Sequence, residues 1–218
     1  MNMAPRLTLL QRTFLRAYGW GTHQLYNKLA FVYDPVASLV SGGRWDAWRR
    51  LALDYVDGVD ILEVGFGTGE LLMALAGAGR RVVGAELSAA MHRVTARKLA
   101  RRGLSIPRLR ASTTALPFAS GAFDSVVSTF PADYILQPAT LAEVARVLRS
   151  TGRLVIVGLI VELPPSPFRP LSWLPTSTGR LWAYLAQLAG DAGLKTTVYW
   201  HEDPPARVPV VVAERMGA

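Results

Sequence analysis

The 218-residue sequence contains no cysteine, and histidine is scarce. Without thiols the chain has no disulfides, no thiolate zinc ligands and no cysteine nucleophile. Its three histidines, His23, His92 and His201, stand far apart and lack a carboxylate at metal-ligand spacing. Scattered imidazoles of this kind are typical of solvated or capping side chains, so we expect no bound metal and no catalytic histidine.

Long apolar runs are also missing. The longest, residues 154–161, is too short to cross a bilayer, which takes about 20 residues. Near the start, arginines interrupt the apolar residues, so the sequence lacks the continuous apolar core of a signal peptide. We therefore expect a cytoplasmic protein.

Negative charge is under-represented, because 16 acidic residues face 24 lysines and arginines, which gives a net charge of +8. Several arginines come in pairs near predicted helix ends, where they favour the negative end of the helix dipole or solvate an outer face. A nucleic-acid or anionic-lipid patch is the alternative interpretation. Nucleic acid is not the partner that we expect, while peripheral membrane contact and the oligomeric state stay open.

Apolar residues make up half of the chain, enough for a sizeable core, and the length suits one domain covering residues 1–218. After an N-terminal segment, residues 1–44, strands and helices alternate through residues 45–218, which favours an α/β sheet. Thr151-Gly152 predicts a turn before the fifth strand, and Pro204-Pro205 predicts a hairpin between the last two strands. The predicted strands are residues 60–64, 81–86, 108–111, 123–128, 153–160, 195–202 and 207–214, and the predicted helices are 45–56, 70–78, 88–102, 138–148 and 179–189.

Glycines at every second position follow the first predicted strand, in the sequence Ile-Leu-Glu-Val-Gly-Phe-Gly-Thr-Gly of residues 61–69. Glycine permits positive φ and a close approach of the backbone to a ligand, and the following helix start offers unpaired N–H groups. A nicotinamide or flavin site is the main alternative, but its Gly-x-Gly-x-x-Gly pattern requires glycine where Glu70 stands. Because Glu63 and Glu86 would repel a pyrophosphate, the loop favours a different, cationic ligand.

Glu86 ends the second predicted strand. In nucleoside-binding α/β folds, a carboxylate at this place accepts two hydrogen bonds from ribose hydroxyls. An exposed carboxylate at a strand end, with no ligand, is the alternative interpretation. The glycine loop that precedes it favours the ribose contact.

Residues 63–69, Glu-x-Gly-x-Gly-x-Gly, resemble the first motif of class I S-adenosylmethionine-dependent methyltransferases. Residues 116–124, Leu-Pro-Phe-Ala-Ser-Gly-Ala-Phe-Asp, are similar to the segment before the fourth strand in small-molecule members of the quinone-biosynthesis type. Residues 143–154 are similar to the family's segment before the fifth strand. Together the matches span roughly residues 45–160.

The resemblance implies a doubly wound, Rossmann-like, mostly parallel seven-stranded sheet with an antiparallel last strand and an N-terminal helical lid. It also implies S-adenosyl-L-methionine as cofactor and S-adenosyl-L-homocysteine as its product. In such enzymes the lid closes over the donor, and Thr129 and Phe130 line its methionine end, although Phe130 suits a core position equally well. The candidate cofactor-binding residues are Glu63, Gly65, Phe66, Gly67, Gly69, Glu86, Leu87, Ser112, Thr113, Thr129, Phe130, Tyr26 and Tyr33.

The sequence departs from the family in one place. The third strand commonly ends in Asp, which holds the adenine amino group, whereas this chain has Ser112 followed by Thr113. A hydroxyl still accepts a hydrogen bond from adenine, but without the assistance of charge.

The sequence therefore predicts an enzyme, an S-adenosylmethionine-dependent methyltransferase (EC 2.1.1.-) that transfers a methyl group in line to a small, largely apolar acceptor. The apolar, aromatic lid and the proline-rich residues 163–175 favour such an acceptor. One alternative is a nucleic-acid methyltransferase, which the charge suggests, but the base-clamping Asn/Asp-Pro-Pro-aromatic motif is absent. The other is a non-catalytic S-adenosylmethionine-binding protein, which Ser112 suggests. No catalytic residue is identified.

Overall fold

The structure, a computed structural model, describes residues 33–162 and 178–216. The predicted lid residue Tyr26 and all of the proline-rich segment lie outside the described residues. Within these two ranges no helix is long and apolar enough to cross a membrane. The helices are α1 Tyr33–Val40, α2 Trp45–Arg50, α3 Ala52–Tyr55, α4 Glu70–Gly77, α5 Ala89–Arg101, α6 Pro138–Val147 and α7 Thr178–Asp191, and the strands are β1 Asp60–Val64, β2 Arg81–Ala85, β3 Arg108–Leu109, β4 Phe123–Thr129, β5 Leu148–Val157, β6 Leu194–Asp203 and β7 Ala206–Arg215.

The seven strands form one sheet in the order β3-β2-β1-β4-β5-β7-β6. Strands β1 to β5 pair in parallel, and β7 lies antiparallel between β5 and β6. The predicted hairpin joins β6 to β7 and places the last strand inside the sheet. The α/β sheet with an antiparallel last strand is thereby confirmed.

Successive side chains of each strand point to opposite faces of the sheet, and both faces are apolar. On β5, Leu154 and Ile156 face a cluster with α6 and α7, whereas Val155 and Val157 face a cluster with helices α2 to α5. Strand β7 divides in the same way. Because helices cover both faces of the sheet, most residues of its strands are apolar. This pattern predicts the first strand at residues 60–64, which are its observed bounds.

The predicted turn at Thr151-Gly152 is wrong, because β5 begins earlier, at Leu148, and runs through both residues. The pairing with β4 advances from Phe123 and Leu148 to Ser125 and Arg153, so β5 contributes extra residues as a bulge. A Cβ on Gly152 would lie 3.0 Å from a backbone oxygen on each strand. The glycine therefore serves a close approach within the sheet and not a turn before it.

The sheet changes direction between β1 and β4. The chain leaves β1 toward β2 and leaves β4 toward β5, so the loops after these two strands diverge. Ligands of open α/β sheets bind in the crevice at such a switch point, beside the carboxyl ends of the strands. Here Ser128 Oγ donates a hydrogen bond of 2.9 Å to the carbonyl oxygen of Val64 and ties the two strand ends together.

Asp124 joins the strands at their other ends, where β1 and β4 begin. One carboxylate oxygen accepts hydrogen bonds from the backbone N–H groups of Val59 and Asp60, at 2.8 and 2.9 Å, and the other accepts from Arg149. Burial works against the charge, but these bonds prevail and lower the pKa of the carboxyl. The aspartate of the Leu-Pro-Phe…Phe-Asp segment therefore has a structural role, far from the switch point.

We expect Asp124→Ala to lower the free energy of unfolding by about 2 kcal/mol, because it removes hydrogen bonds to a charged acceptor. Urea unfolding followed by circular dichroism measures this loss. Asp54→Ala is the matched control, since Asp54 is exposed on α3. An equal effect of both substitutions would contradict the role of Asp124.

Candidate functional site

In the loop after β1, every second residue has a left-handed backbone conformation. Gly65, Gly67 and Gly69 have φ values of 68°, 52° and 79°. A Cβ on Gly65 would lie 2.1 Å from Tyr134 Oη, and a Cβ on Gly69 would lie 2.5 Å from Thr95 Cγ2. The loop therefore needs glycine for its backbone conformation and, at these two positions, for space.

Glu86 follows β2 and is bound to this loop. Its Oε2 accepts a hydrogen bond of 3.1 Å from the Gly67 N–H, and its Oε1 accepts one of 2.7 Å from the Ser88 N–H. The residue is only 4% exposed, whereas the neighbouring Leu87 is 59% exposed. The two carboxylate oxygens thus tie the loop after β1 to the residues that follow β2.

Glu63 lies on β1 and is 1% exposed. Its Oε2 is buried and has no hydrogen-bond partner among the described residues. Burial raises the pKa of Glu63 to about 8, although the charge of Arg49 opposes the rise; the nearby Glu86 adds to it, and the Leu72 backbone in the first turn of α4 lowers it. At neutral pH this carboxyl therefore holds a proton that an arriving cation would displace.

The raised pKa predicts a stability that falls as the pH rises. Between pH 4.5 and about 8 the folded chain keeps the Glu63 proton and the unfolded chain has lost it. The unfolded state thus binds fewer protons, and this group lowers the free energy of unfolding by up to about 1.4 kcal/mol per pH unit. Glu63→Gln keeps the shape of the side chain without the proton, so we expect a flatter stability profile from pH 5 to 8, measured by urea unfolding. Parallel profiles for both proteins would contradict the prediction.

Phe130 follows β4 and is the one non-glycine residue with positive φ in the described ranges, at 48°. Its ring stacks on Trp45 with a centroid distance of 3.7 Å and covers Gly158, where a Cβ would lie 2.2 Å from Phe130 Cε1. The ring is thus packed between α2 and the end of β5. Thr129 ends β4 in a half-buried position beside Val157.

Phe66 occupies a loop position but belongs to the core. It is 4% exposed and meets His92 edge to face at 4.9 Å. Only its backbone is placed to contact a ligand in the loop. His92 Nε2 lies 3.0 Å from the Glu86 carbonyl oxygen and 3.1 Å from that of Leu109, so it joins the ends of β2 and β3.

The hydroxyl groups of the residues after β3 form hydrogen bonds with one another and with α6. Ser112 Oγ lies 2.8 Å from Thr114 Oγ1 and accepts from the Thr114 N–H at 3.3 Å. Thr113 Oγ1 lies 3.0 Å from Thr140 Oγ1. Both candidate adenine contacts therefore already have protein partners, and each hydroxyl retains only part of its bonding capacity.

Two contacts at the site were not predicted from the sequence, although Asp34 belongs to the predicted lid. Tyr134 Oη lies 2.7 Å from Ser128 Oγ and donates to the Val64 carbonyl oxygen at 3.3 Å, directly over Gly65. Asp34, beside the predicted lid residue Tyr33 at the start of α1, accepts a 2.8 Å hydrogen bond from Thr68 Oγ1. Neither contact follows a local motif, since each joins residues far apart in the chain.

Gly69 and Gly79 separate backbone strain from steric contact. Their φ values are 79° and 77°, but an added Cβ meets Thr95 at Gly69 and nothing within 4 Å at Gly79. We expect Gly69→Ala to lower the melting temperature more than Gly79→Ala, with partial recovery in Gly69→Ala/Thr95→Ser, which removes the contacting methyl group. Thermal unfolding of the four proteins measures this. Equal losses at both glycines would mean that conformation alone requires glycine at Gly69.

Comparison with known proteins fits this geometry. The family model described as "Methyltransferase domain" matches residues 61–152, from β1 through the glycine loop into β5. A demethylmenaquinone methyltransferase of Thermus thermophilus is 38% identical over 152 residues, which cover 66% of this chain and 66% of that protein. The chain belongs to the class I methyltransferase family.

A further relative is similar to the chain over part of its own length. The nocamycin O-methyltransferase of Saccharothrix syringae is 39% identical over 71% of this chain and 56% of its own. The chain thus spans less than two thirds of the length of these curated relatives.

Solved structures share the fold at low identity. Geranyl diphosphate C-methyltransferase from Streptomyces coelicolor has a TM-score of 0.60 at 16% identity, covering 78% of this chain and 79% of its own. The cyclase SpnF has the same TM-score at 17% identity, covering 80% of this chain and 82% of its own. Because a cyclase shares the fold, the fold alone does not define the reaction.

Proposed function

We propose that the chain is an S-adenosylmethionine-dependent methyltransferase (EC 2.1.1.-) for a small, largely apolar acceptor. One observation supports this most directly: the buried Glu86 carboxylate stands at the end of β2 and holds the Gly67 N–H of the glycine loop, the place where nucleoside-binding α/β folds bind a ribose. The proposal includes a single domain over residues 1–218 and a cytoplasmic location.

The residues present fit a ligand that carries both a ribose and positive charge. Gly65, Gly67 and Gly69 let the backbone of the loop turn tightly and approach its neighbours closely, with Gly65 half-buried and the other two buried. The buried Oε2 of Glu63, which has no hydrogen-bond partner among the described residues, lies near the end of β1 and suits a nearby ammonium group. In this proposal Glu86 holds the ribose, the glycine loop receives the methionine part, and Glu63 compensates its charge.

Bound S-adenosylmethionine supplies an electrophilic methyl group on a sulfonium, which an O, N or C nucleophile of the acceptor takes in line. The protein's contribution is alignment and exclusion of water, which need no dedicated base. The stacked rings of Trp45 and Phe130 beside the end of β4 give this side of the site an apolar wall. Aromatic faces also attract a cation such as a sulfonium.

The acceptor class follows from the same surroundings and from the relatives' names. Those names mention demethylmenaquinone and nocamycin, both small molecules. We therefore expect a small, largely apolar acceptor, with nucleic acid as the disfavoured alternative. Incubation with S-adenosylmethionine labelled in the methyl group, together with a panel of demethylated quinones, phenols and a mixed RNA, tests this choice. Label recovered only in RNA would overturn it.

Donor binding is tested separately, because the fold also accommodates a protein that binds without catalysis. We expect calorimetric titration to show S-adenosylhomocysteine binding by the wild type. Binding without transfer to any acceptor in the panel would favour the non-catalytic alternative. No binding of S-adenosylhomocysteine or S-adenosylmethionine would overturn the proposed function.

Glu86→Ala should weaken S-adenosylhomocysteine binding by about ten- to a hundredfold, because a charged hydrogen bond contributes roughly 1.5–3 kcal/mol. Glu214→Ala serves as the control, since Glu214 is an exposed carboxylate on β7. Calorimetry gives both dissociation constants, and circular dichroism verifies the folded state. An unchanged dissociation constant in folded Glu86→Ala would remove Glu86 from the site.

A further inference from the structure

Asp34 connects the N-terminal helix α1 to the glycine loop. Its Oδ1 accepts the 2.8 Å hydrogen bond from Thr68 Oγ1 and lies 3.4 Å from Arg49 Nη2. Its Oδ2 accepts from Lys98 Nζ on α5. Thr68 is 3% exposed and Arg49 is 7% exposed, so most of this contact is shielded from water.

The surrounding charges hold Asp34 in its ionised form. Lys98 Nζ also donates to Glu70 Oε1 at 2.7 Å, at the first turn of α4. Burial opposes the charge of Asp34, but Lys98, the Thr68 hydroxyl and Arg49 outweigh it and lower the pKa of the carboxyl. We define Asp34, Arg49, Thr68, Glu70 and Lys98 as the loop network.

The glycine loop is fastened at three points around Thr68. Glu86 accepts from the Gly67 N–H, and Thr95 Oγ1 donates to the Gly67 carbonyl oxygen at 3.0 Å. The third point, from Thr68 to Asp34, is made by α1, a helix within the predicted lid. Glycines on both sides of Thr68 allow many backbone conformations, so each fastening restricts the loop substantially.

We propose that Asp34 is a positioning residue that couples helix α1 to the donor-binding loop through Thr68. The proposal rests on the proposed function, since it concerns the affinity of that loop for the donor. Asp34 and Thr68 need no contact with the donor in this arrangement. They hold the loop backbone in its binding conformation, and a bound donor in turn stabilises α1.

Reciprocity makes the coupling measurable from both sides. If α1 strengthens donor binding by a given factor, the donor strengthens the docking of α1 by the same factor. A side chain that contributes only to overall stability would change the free energy of unfolding without coupling donor binding to the docking of α1.

The test uses isosteric changes on the full chain. Thr68→Val keeps the volume and removes the hydroxyl, and we expect about tenfold weaker S-adenosylhomocysteine binding, the loss typical of a hydrogen bond to a charged group. Thr68→Ser retains the hydroxyl and should bind as the wild type does. Asp34→Asn should also weaken binding, and the double variant should weaken it less than the product of the two single effects.

Asp46→Asn is the matched control. Asp46 also carries a carboxylate, which lies 3.5 Å from Arg49 Nη1, but its ion pairs within the described residues are with Arg49 and Arg50 on its own helix and not with the loop. We expect its affinity for S-adenosylhomocysteine to be unchanged. Hydrogen exchange is the second measurement. Bound S-adenosylhomocysteine should slow the exchange of the α1 amides in the wild type and in Thr68→Ser, but much less in Thr68→Val.

The outcomes separate the inference from the function on which it rests. If the wild type fails to bind S-adenosylhomocysteine, the proposed function fails and the inference with it. If the wild type binds and folded Thr68→Val and Asp34→Asn bind equally well, only the inference is overturned. Equal slowing of α1 exchange in the wild type and Thr68→Val would overturn it as well.

Discussion

The hydrogen bond from the Gly67 N–H to the Glu86 carboxylate connects the two halves of the site. It joins the loop after β1 to the end of β2 inside a nearly dry environment, where a charge-assisted bond is strong and its loss is costly. The left-handed glycines are required because the loop must bring that N–H toward β2. A ligand site at the switch point depends on this connection, since it is the one of the three contacts holding the loop that reaches the end of β2.

Charge is distributed unevenly between the two edges of the sheet. At the amino-terminal edge, Asp60 and Asp124 are paired with Arg149, and half-exposed partners make this a structural network. At the carboxyl-terminal edge, Glu63 and Glu86 are buried, and Glu63 has no ion pair among the described residues. The protein thus keeps two buried carboxyl groups, Glu86 and the protonated Glu63, where the proposed cationic donor binds. At the other ends of the strands it pairs Asp60 and Asp124 with an arginine.

The sequence allowed prediction of the sheet because the relevant signals are local. Strand β1 is a short apolar run that ends at a glycine, and Ser88 caps α5 as its type predicts. The bulge in β5 could not be predicted, since Thr151-Gly152 has the same local preference in a turn as in a bulge. The titration of Glu63 and the contact of Asp34 with Thr68 depend on burial and on long-range packing, which no nearby residue reports. Gly65, Gly67 and Gly69, in contrast, are a local signal, and they predicted the loop whose position these long-range contacts fix.

Strand β7 has a consequence for how the chain completes its fold during synthesis. It is last in sequence among the described strands, yet it lies between β5 and β6 and not at an edge. Until it emerges from the ribosome, β5 presents an open, apolar edge of the kind that invites wrong pairing. Strand β6 cannot join the sheet before then either, because its pairing partner is β7. Strand β7 therefore connects β6 to the rest of the sheet, and the edge of β5 is open to other pairing until β7 is in place.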